Sequence, residues 1–353
     1  MDAIPGAVLA TLIGLLGGIA LGYAARVGRF CTLGAIEDAL YGGSYERLRM
    51  WGVALGLSIL GCAALSGTGV LVPADVFLVR DGFSPVAIIL GGGLFGYGMA
   101  LAGNCGYGAL ARLGTGDLRA LVLVVVMGIA AYATLFGPLA PVRLWLFGLP
   151  IWRVNDAITL DQLLGAALSI PPWLIGGGIG LALLAVSLRS STRVRRTGFW
   201  GAVVGLAILS GWAGTAYLAS TSFDVIGVRS HNFSAPLGET LAYAMMSSVR
   251  PISFAVGSVC GVVLGSVVGS LKLKQFRWEA CEDPRELKRQ LLGAVLMGSG
   301  ATLALGCSVG QGLSAFALLT LSAPLATLSM AAGAALGLRV LIMGWRPGRS
   351  QNP

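Results

Sequence analysis

An all-α polytopic membrane protein, with about nine transmembrane helices, four short re-entrant half-helices and two inverted-topology repeats, is the fold class this sequence predicts. Three observations carry the prediction. Only 11% of the 353 residues are charged and 56% are hydrophobic, whereas a soluble domain carries about a quarter charged residues. Apolar runs of roughly 20 residues, enough to cross a hydrocarbon core of about 30 Å, recur along the whole chain. A set of glycine, cysteine and apolar positions also returns at one constant spacing in the second half.

Hydropathy places the spans near 6–26, 49–67, 84–103, 118–137, 173–189, 199–220, 251–271, 289–305 and 321–341. Basic residues set their orientation. With the N-terminus outside, 19 of the 24 lysines and arginines fall on the cytoplasmic side and 5 outside, which predicts N-out and C-in. An odd number of spans agrees. The start, Met1-Asp2-Ala3-Ile4-Pro5, lacks a basic n-region, so the first helix is expected to be retained rather than cleaved as a signal peptide.

Four connections are too apolar and glycine-rich for ordinary loops. They are Gly28 to Gly34, Gly103 to Gly108, His231 to Pro236 and Gly306 to Gly312, each running into an apolar stretch of half-helix length. Irregular backbone at membrane depth is tolerated only where it lines a cavity, so re-entrant segments are predicted. Gly96, Gly98, Leu101, Ala102, Cys105 and Gly108 recur 202 positions later as Gly298, Gly300, Leu303, Ala304, Cys307 and Gly310. The same shift carries Glu37 onto Glu239 and puts Phe233 where Cys31 stands. Residues 1–137 and 199–341 are therefore read as repeats, within a single transmembrane domain spanning 1–353. Residues 138–198 connect them through one spanning helix, so the second repeat is inverted, an architecture that places a site at the midplane. Within that connection, 138–172 reads as interfacial, and 342–353 as a cytoplasmic tail.

Several functions are excluded on these grounds. The net charge of +9 comes from basic residues in short loops, not from a basic face on a folded domain, which argues against nucleic acid. Six cysteines without a CxxC pair, beside a single histidine, form neither a disulfide framework nor a metal site. No cofactor is expected.

The chemistry concentrates at the broken segments. Cys31, Cys105 and Cys307 stand at loop-to-half-helix junctions; a thiol is a weak neutral donor and a polarizable contact, suited to a soft anion where a lysine would be costly. Flanking glycines, Gly106 among them, either close-pack the helices or expose N–H groups to negative charge. Asn104, Asn232, Ser308 and Gln311 offer hydrogen-bond donors, or simply hold the loops. Ser234 and Ser308 read as N-caps. Glu37 and Glu239 are repeat-related acids at membrane depth, with either a pinning or a proton-coupling role. His231 with Arg229 makes the outer mouth attractive to anions, and Arg29 with Arg26 does the same inside, although topology explains both arginines equally well. Cys62 and Cys260 are expected to pack within their helices, and Cys281 to lie in a reduced cytoplasmic loop.

Gly28-Arg29-Phe30-Cys31, Gly103-Asn104-Cys105-Gly106 and Gly306-Cys307-Ser308-Val309-Gly310-Gln311-Gly312, in this order and spacing, resemble the YeeE/YedE family of bacterial inner-membrane sulfur transporters over nearly the whole chain. The resemblance implies an hourglass-shaped fold, uptake of thiosulfate or a related small sulfur anion, and Cys31, Cys105 and Cys307 relaying it by S–H···S contacts. It also implies a lipid-embedded protein that is not an enzyme, with a separate small cytoplasmic sulfur-carrier protein as a candidate partner. Alternatives are a thiol sulfurtransferase or oxidoreductase forming cysteine persulfides, a transporter of another sulfur or selenium species, and a channel for formate-like anions.

Overall fold

The structure, a computed structural model, describes residues 5–80, 82–148, 159–189, 191–222, 226–280 and 283–344. Helices account for nearly all of it, and no strand occurs among the described residues beyond two isolated bridges. In chain order they are α1 (Gly6–Val27), α2 (Thr32–Leu40), α3 (Glu46–Gly67), α4 (Phe77–Arg80), α5 (Pro85–Ala102), α6 (Gly106–Leu113), α7 (Leu118–Leu135) and α8 (Ala140–Gly148). Then follow α9 (Leu160–Leu168), α10 (Pro172–Arg189), α11 (Val194–Thr221), α12 (Ala235–Met245), α13 (Phe254–Lys272), α14 (Pro284–Leu303) and α15 (Ser322–Met343), with a π-helical turn at Gly310–Ala315 before α15.

Helix starts follow capping chemistry. The Ser84 hydroxyl accepts from the Ala87 N–H at 3.4 Å while Pro85 fills the first helical position of α5. Asp117 accepts from Arg119 N–H at the start of α7, and Asp283 from Arg285 N–H at the start of α14. After α5 the chain turns through Gly103 at φ 71°; 202 positions later, after α14, Leu305 takes the same left-handed conformation at φ 60°.

Eight helical segments are long and apolar enough to cross a bilayer among the described residues: 6–40, 46–67, 85–113, 118–135, 172–189, 194–221, 254–272 and 322–343. The chain is a multi-pass membrane protein. The remaining expected span, 289–305, falls in α14, a 20-residue helix whose first turns carry Arg285, Glu286, Lys288 and Arg289. Its apolar part packs between α5 and α7, so it needs less lipid-facing surface.

Two ends of the bundle can be told apart. One holds Arg26, Arg112, Asp117 and Gln275 and is called the basic face. There Leu118 N–H donates to the Glu279 carbonyl and Arg277 N–H to that of Thr115, strapping the 274–279 loop across the start of α7. At the opposite face Thr159 bridges Thr320, and Leu160 N–H donates to the Leu319 carbonyl. The pair α5–α6 thus runs toward the basic face, and α14 with its following turn runs away from it.

The frame is built on glycine. α1 lies against α13, α5 between α14 and α15, α3 against α10 and α11, and α7 against α12 and α14. A Cβ on Gly18 would stand 2.4 Å from the Ser258 carbonyl oxygen, and one on Gly261 2.3 Å from that of Leu15. Gly91 and Gly300 meet in the same way across α5 and α14. Small residues permit this approach without intervening side chains. Outward faces carry Leu16, Phe199, Leu206, Leu264 and Leu328 exposed, as a lipid-facing surface requires. The interfacial stretch forms α8 and α9 with Trp145 exposed; Pro150, Trp152, Cys281 and the tail from 345 lie outside the described residues.

Candidate functional site

Three half-helices begin on sulfur. Cys31 is the N-cap of α2 and its Sγ accepts from Gly34 N–H at 3.5 Å; Cys105 is the N-cap of α6 and accepts from Gly108 N–H at 3.4 Å. Cys307 does the same for Gly310 N–H at 3.4 Å, and takes a second bond from Phe233 N–H at 3.2 Å. Each cysteine therefore does the work usually given to serine or aspartate, satisfying an orphan donor of the first turn. The shared pattern is Cys-x-x-Gly. Glycine at the third helical position leaves room: a Cβ there would stand 2.1 Å from Arg47 Nη1 at Gly34 and 2.6 Å from Asn232 Oδ1 at Gly310.

Cys105 is fully buried and within electrostatic range of both Cys31 and Cys307. The hydroxyls of Thr32 and Ser308 lie beside its sulfur, and neither has a hydrogen-bond partner of ordinary geometry. Asn104 Oδ1 and both ends of the Gln311 amide are likewise buried and unpartnered. Orphaned polar groups in an apolar interior each cost about 1–3 kcal/mol, so a cluster of them around one thiol marks a place for a polar guest.

A cavity opens on either face. On the basic face a 620 Å³ cavity reaches Cys31 and is lined by Arg26, Arg29, Arg47, Arg112 and Arg196. On the opposite face a 310 Å³ cavity is lined by Arg229, His231, Asn232, Glu239, Gly310 and Ser314. His231 is fully buried at its wall; Nδ1 is 2.6 Å from Ser258 Oγ, and Nε2 meets no hydrogen-bond partner of ordinary geometry among the described residues. The segment it belongs to is tied to the third thiol, since Cys307 N–H donates to Asn232 Oδ1 at 3.3 Å and Ser314 Oγ to the His231 carbonyl at 2.6 Å.

The structure brings together Cys31, Cys105, Cys307, Asn104, Ser308 and Gln311, and groups Arg229, His231, Asn232 and Glu239 at one mouth and Arg29 at the other. Gly106 serves close packing: a Cβ would stand 2.6 Å from the Phe233 carbonyl oxygen. Glu239 pairs with Arg229 at 3.3 Å and accepts from Ser253 Oγ, whereas Glu37 is exposed on α2 and joins neither cavity. Ser308 is not the cap of its helix, because that helix starts one residue earlier, on Cys307. Ser234 occupies the N-cap of α12 but turns its hydroxyl to Asn232 Oδ1. Cys62 is buried as expected, but Cys260 faces outward from α13. Cys260 points away because that helix buries its glycine stripe against α1.

Sequence reading missed Thr32, Arg47, Arg112 and Arg196. The Cys-x-x-Gly spacing would have found the shared cap; nothing in the local sequence marks the arginines, which converge from α3, α6 and α11.

A family described as sulphur transport matches residues 27–336. The thiosulfate transporter TsuA of Spirochaeta thermophila is 27% identical over 324 residues, 89% of this chain and 94% of that protein. The TsuA of Escherichia coli is 26% identical over 339 residues, 88% of each. With its broken helices meeting on sulfur and a family match over most of its length, this chain belongs to the sulphur transport family, the YeeE/YedE group its cysteine motifs resemble.

Proposed function

We propose that this protein takes up thiosulfate across the bacterial inner membrane, with the N-terminus outside and the basic face in the cytoplasm. The anion passes from the smaller cavity to Cys307, then Cys105, then Cys31, held by S–H···S contacts. The observation that carries this reading is that Cys31 lines the larger cavity, Cys307 is bonded to the segments that wall the smaller one, and the Thr32 and Ser308 hydroxyls beside Cys105 lack ordinary hydrogen-bond partners among the described residues. A neutral thiol grips the terminal sulfur loosely, while N–H groups at the half-helix starts and the Thr32 and Ser308 hydroxyls meet the sulfonate oxygens. The fixed cations line the two mouths rather than the central thiol. The chain acts as a carrier rather than an enzyme, and a small cytoplasmic sulfur-carrier protein is a partner that the basic face could receive.

The two halves are inverted repeats. Support comes from α1, α2, α5, α6 and α7, which the 202-residue shift lays on α11, α12, α14, the Cys307-capped turn and α15. Contacts exchange under the same shift: α1 with α13 answers α11 with α3, and α7 with α14 answers α15 with α5.

The test is growth on thiosulfate as sole sulfur source, in a host lacking its own uptake, with expression verified. Wild type should rescue and Cys105→Ala or Cys307→Ala should not. Failure of the wild type would remove thiosulfate as the substrate. Rescue by every variant would leave transport standing and remove the thiol relay.

A further inference from the structure

The 620 Å³ cavity on the basic face is larger and more charged than an exit for a small anion requires. Five guanidiniums line it and no carboxylate does. Of the five, Arg47 is neutralised by Asp38 at 3.2 Å, while Asp117, Glu279 and Glu286 gather round Arg119 outside the cavity, Glu279 also lying near Arg26. Arg26, Arg29, Arg112 and Arg196 have no carboxylate within ion-pair distance among the described residues. Among the described residues Arg26 donates to Gln275 Oε1 at 2.8 Å and Arg112 to the Gly103 carbonyl at 3.3 Å. Arg29 and Arg112 crowd Arg26 with like charge, and Arg26 Nε is buried without a partner. Arg29 also sits at φ 58°, a conformation that costs a non-glycine residue of order 1 kcal/mol or more. Orientation of the chain asks only for positive charge in the loops; it does not ask four helices to converge their arginines on one cavity.

We propose that this basin is a second anion site, selective for charge rather than for sulfur, which holds small dianions such as sulfate as readily as thiosulfate. The proposal extends the transport reading but does not borrow its mechanism. The thiol line discriminates by soft contact with a terminal sulfur. The basin has no thiol except Cys31 at its floor and leaves the anion hydrated, so it distinguishes ions by valence. A filled basin repels the next dianion arriving from Cys31, and release then depends on the anion pool on that side.

Equilibrium binding of radiolabelled sulfate to the purified protein at low ionic strength tests this without turnover. Wild type and Cys105→Ala should both bind sulfate, and thiosulfate should displace it with an affinity within about threefold. The pair Arg29→Gln with Arg196→Gln should weaken both anions about tenfold or more, and the pair Arg29→Lys with Arg196→Lys should keep them within about threefold. Absence of saturable sulfate binding in the wild type, or binding unchanged by the glutamine pair, overturns the site; loss in the lysine pair overturns selection by charge. A protein that binds sulfate yet fails to support growth on thiosulfate would keep the basin and lose the transport reading.

Discussion

Cys307 carries two duties that can be separated. Its sulfur accepts from Gly310 N–H and Phe233 N–H, and under the proposed relay its S–H also meets the anion. Cys307→Ala removes both functions. A lost N-cap costs about 0.5–2 kcal/mol and a buried N–H left without an acceptor about 1–3 kcal/mol. Sulfur is a weak acceptor, so the lower ends apply, and the two bonds together come to about 1.5 kcal/mol. Cys307→Ser restores an acceptor at the cap but replaces the soft contact with a hard hydroxyl. The alanine variant is therefore expected to lower the apparent unfolding temperature by a few degrees in a detergent thermal-shift assay, and the serine variant to stay near wild type. Both are expected to lose at least about tenfold in thiosulfate uptake, measured in cells at matched protein level. Wild-type uptake by Cys307→Ser would refute the thiol relay. A serine variant as unstable as the alanine one would refute the capping argument.

Other outcomes follow from single contacts. Gly17→Ala would place a Cβ 2.3 Å from His231 Nε2, so uptake should fall as the ring is driven toward its cavity. Gly93→Ala, with nothing within 4 Å of the added atom, should be neutral in the same uptake assay. Glu46→Ala removes the acceptor of Ser191, Thr192 and Thr197 hydroxyls and the Thr192 N–H; a loss of about 2 kcal/mol should show as a lower thermal midpoint and lower yield. Glu239→Gln breaks a half-exposed pair with Arg229 worth less than about 1 kcal/mol. Its thermal midpoint should hardly move, and a drop in uptake would then report on the mouth rather than on folding. Glu37→Gln should leave both readouts unchanged.

Much of this was legible in the sequence because membrane proteins write their constraints locally. Apolar runs gave the spans, and glycines within three positions of a cysteine gave the broken junctions at 31, 105 and 307. What escaped depends on contacts between distant segments. Glu46 finds its partners about 145 positions away. Arg47 and Arg196 look like topology signals until α3 and α11 fold against each other. Thr32 carries no pattern of its own, and its unpartnered hydroxyl matters only because Cys105 comes to lie beside it. The two repeat-related acids looked alike in the sequence, but α2 turns Glu37 outward while α12 turns Glu239 to an arginine.

The glycine seam between α1 and α13 bears on how the molecule can move. Its carbonyls and Cα atoms touch directly along three turns, so the two helices share no layer of side chains on which to slide. Parting them would open a void with nothing flexible to fill it. The same holds where α5 crosses α14. The long helices are thus expected to move as one cage, leaving shape change during transport to the short pieces hung inside it. Such a machine trades large domain swings for small adjustments of a loop or a single turn, and a disulfide clamped across α1 and α13 would leave it running.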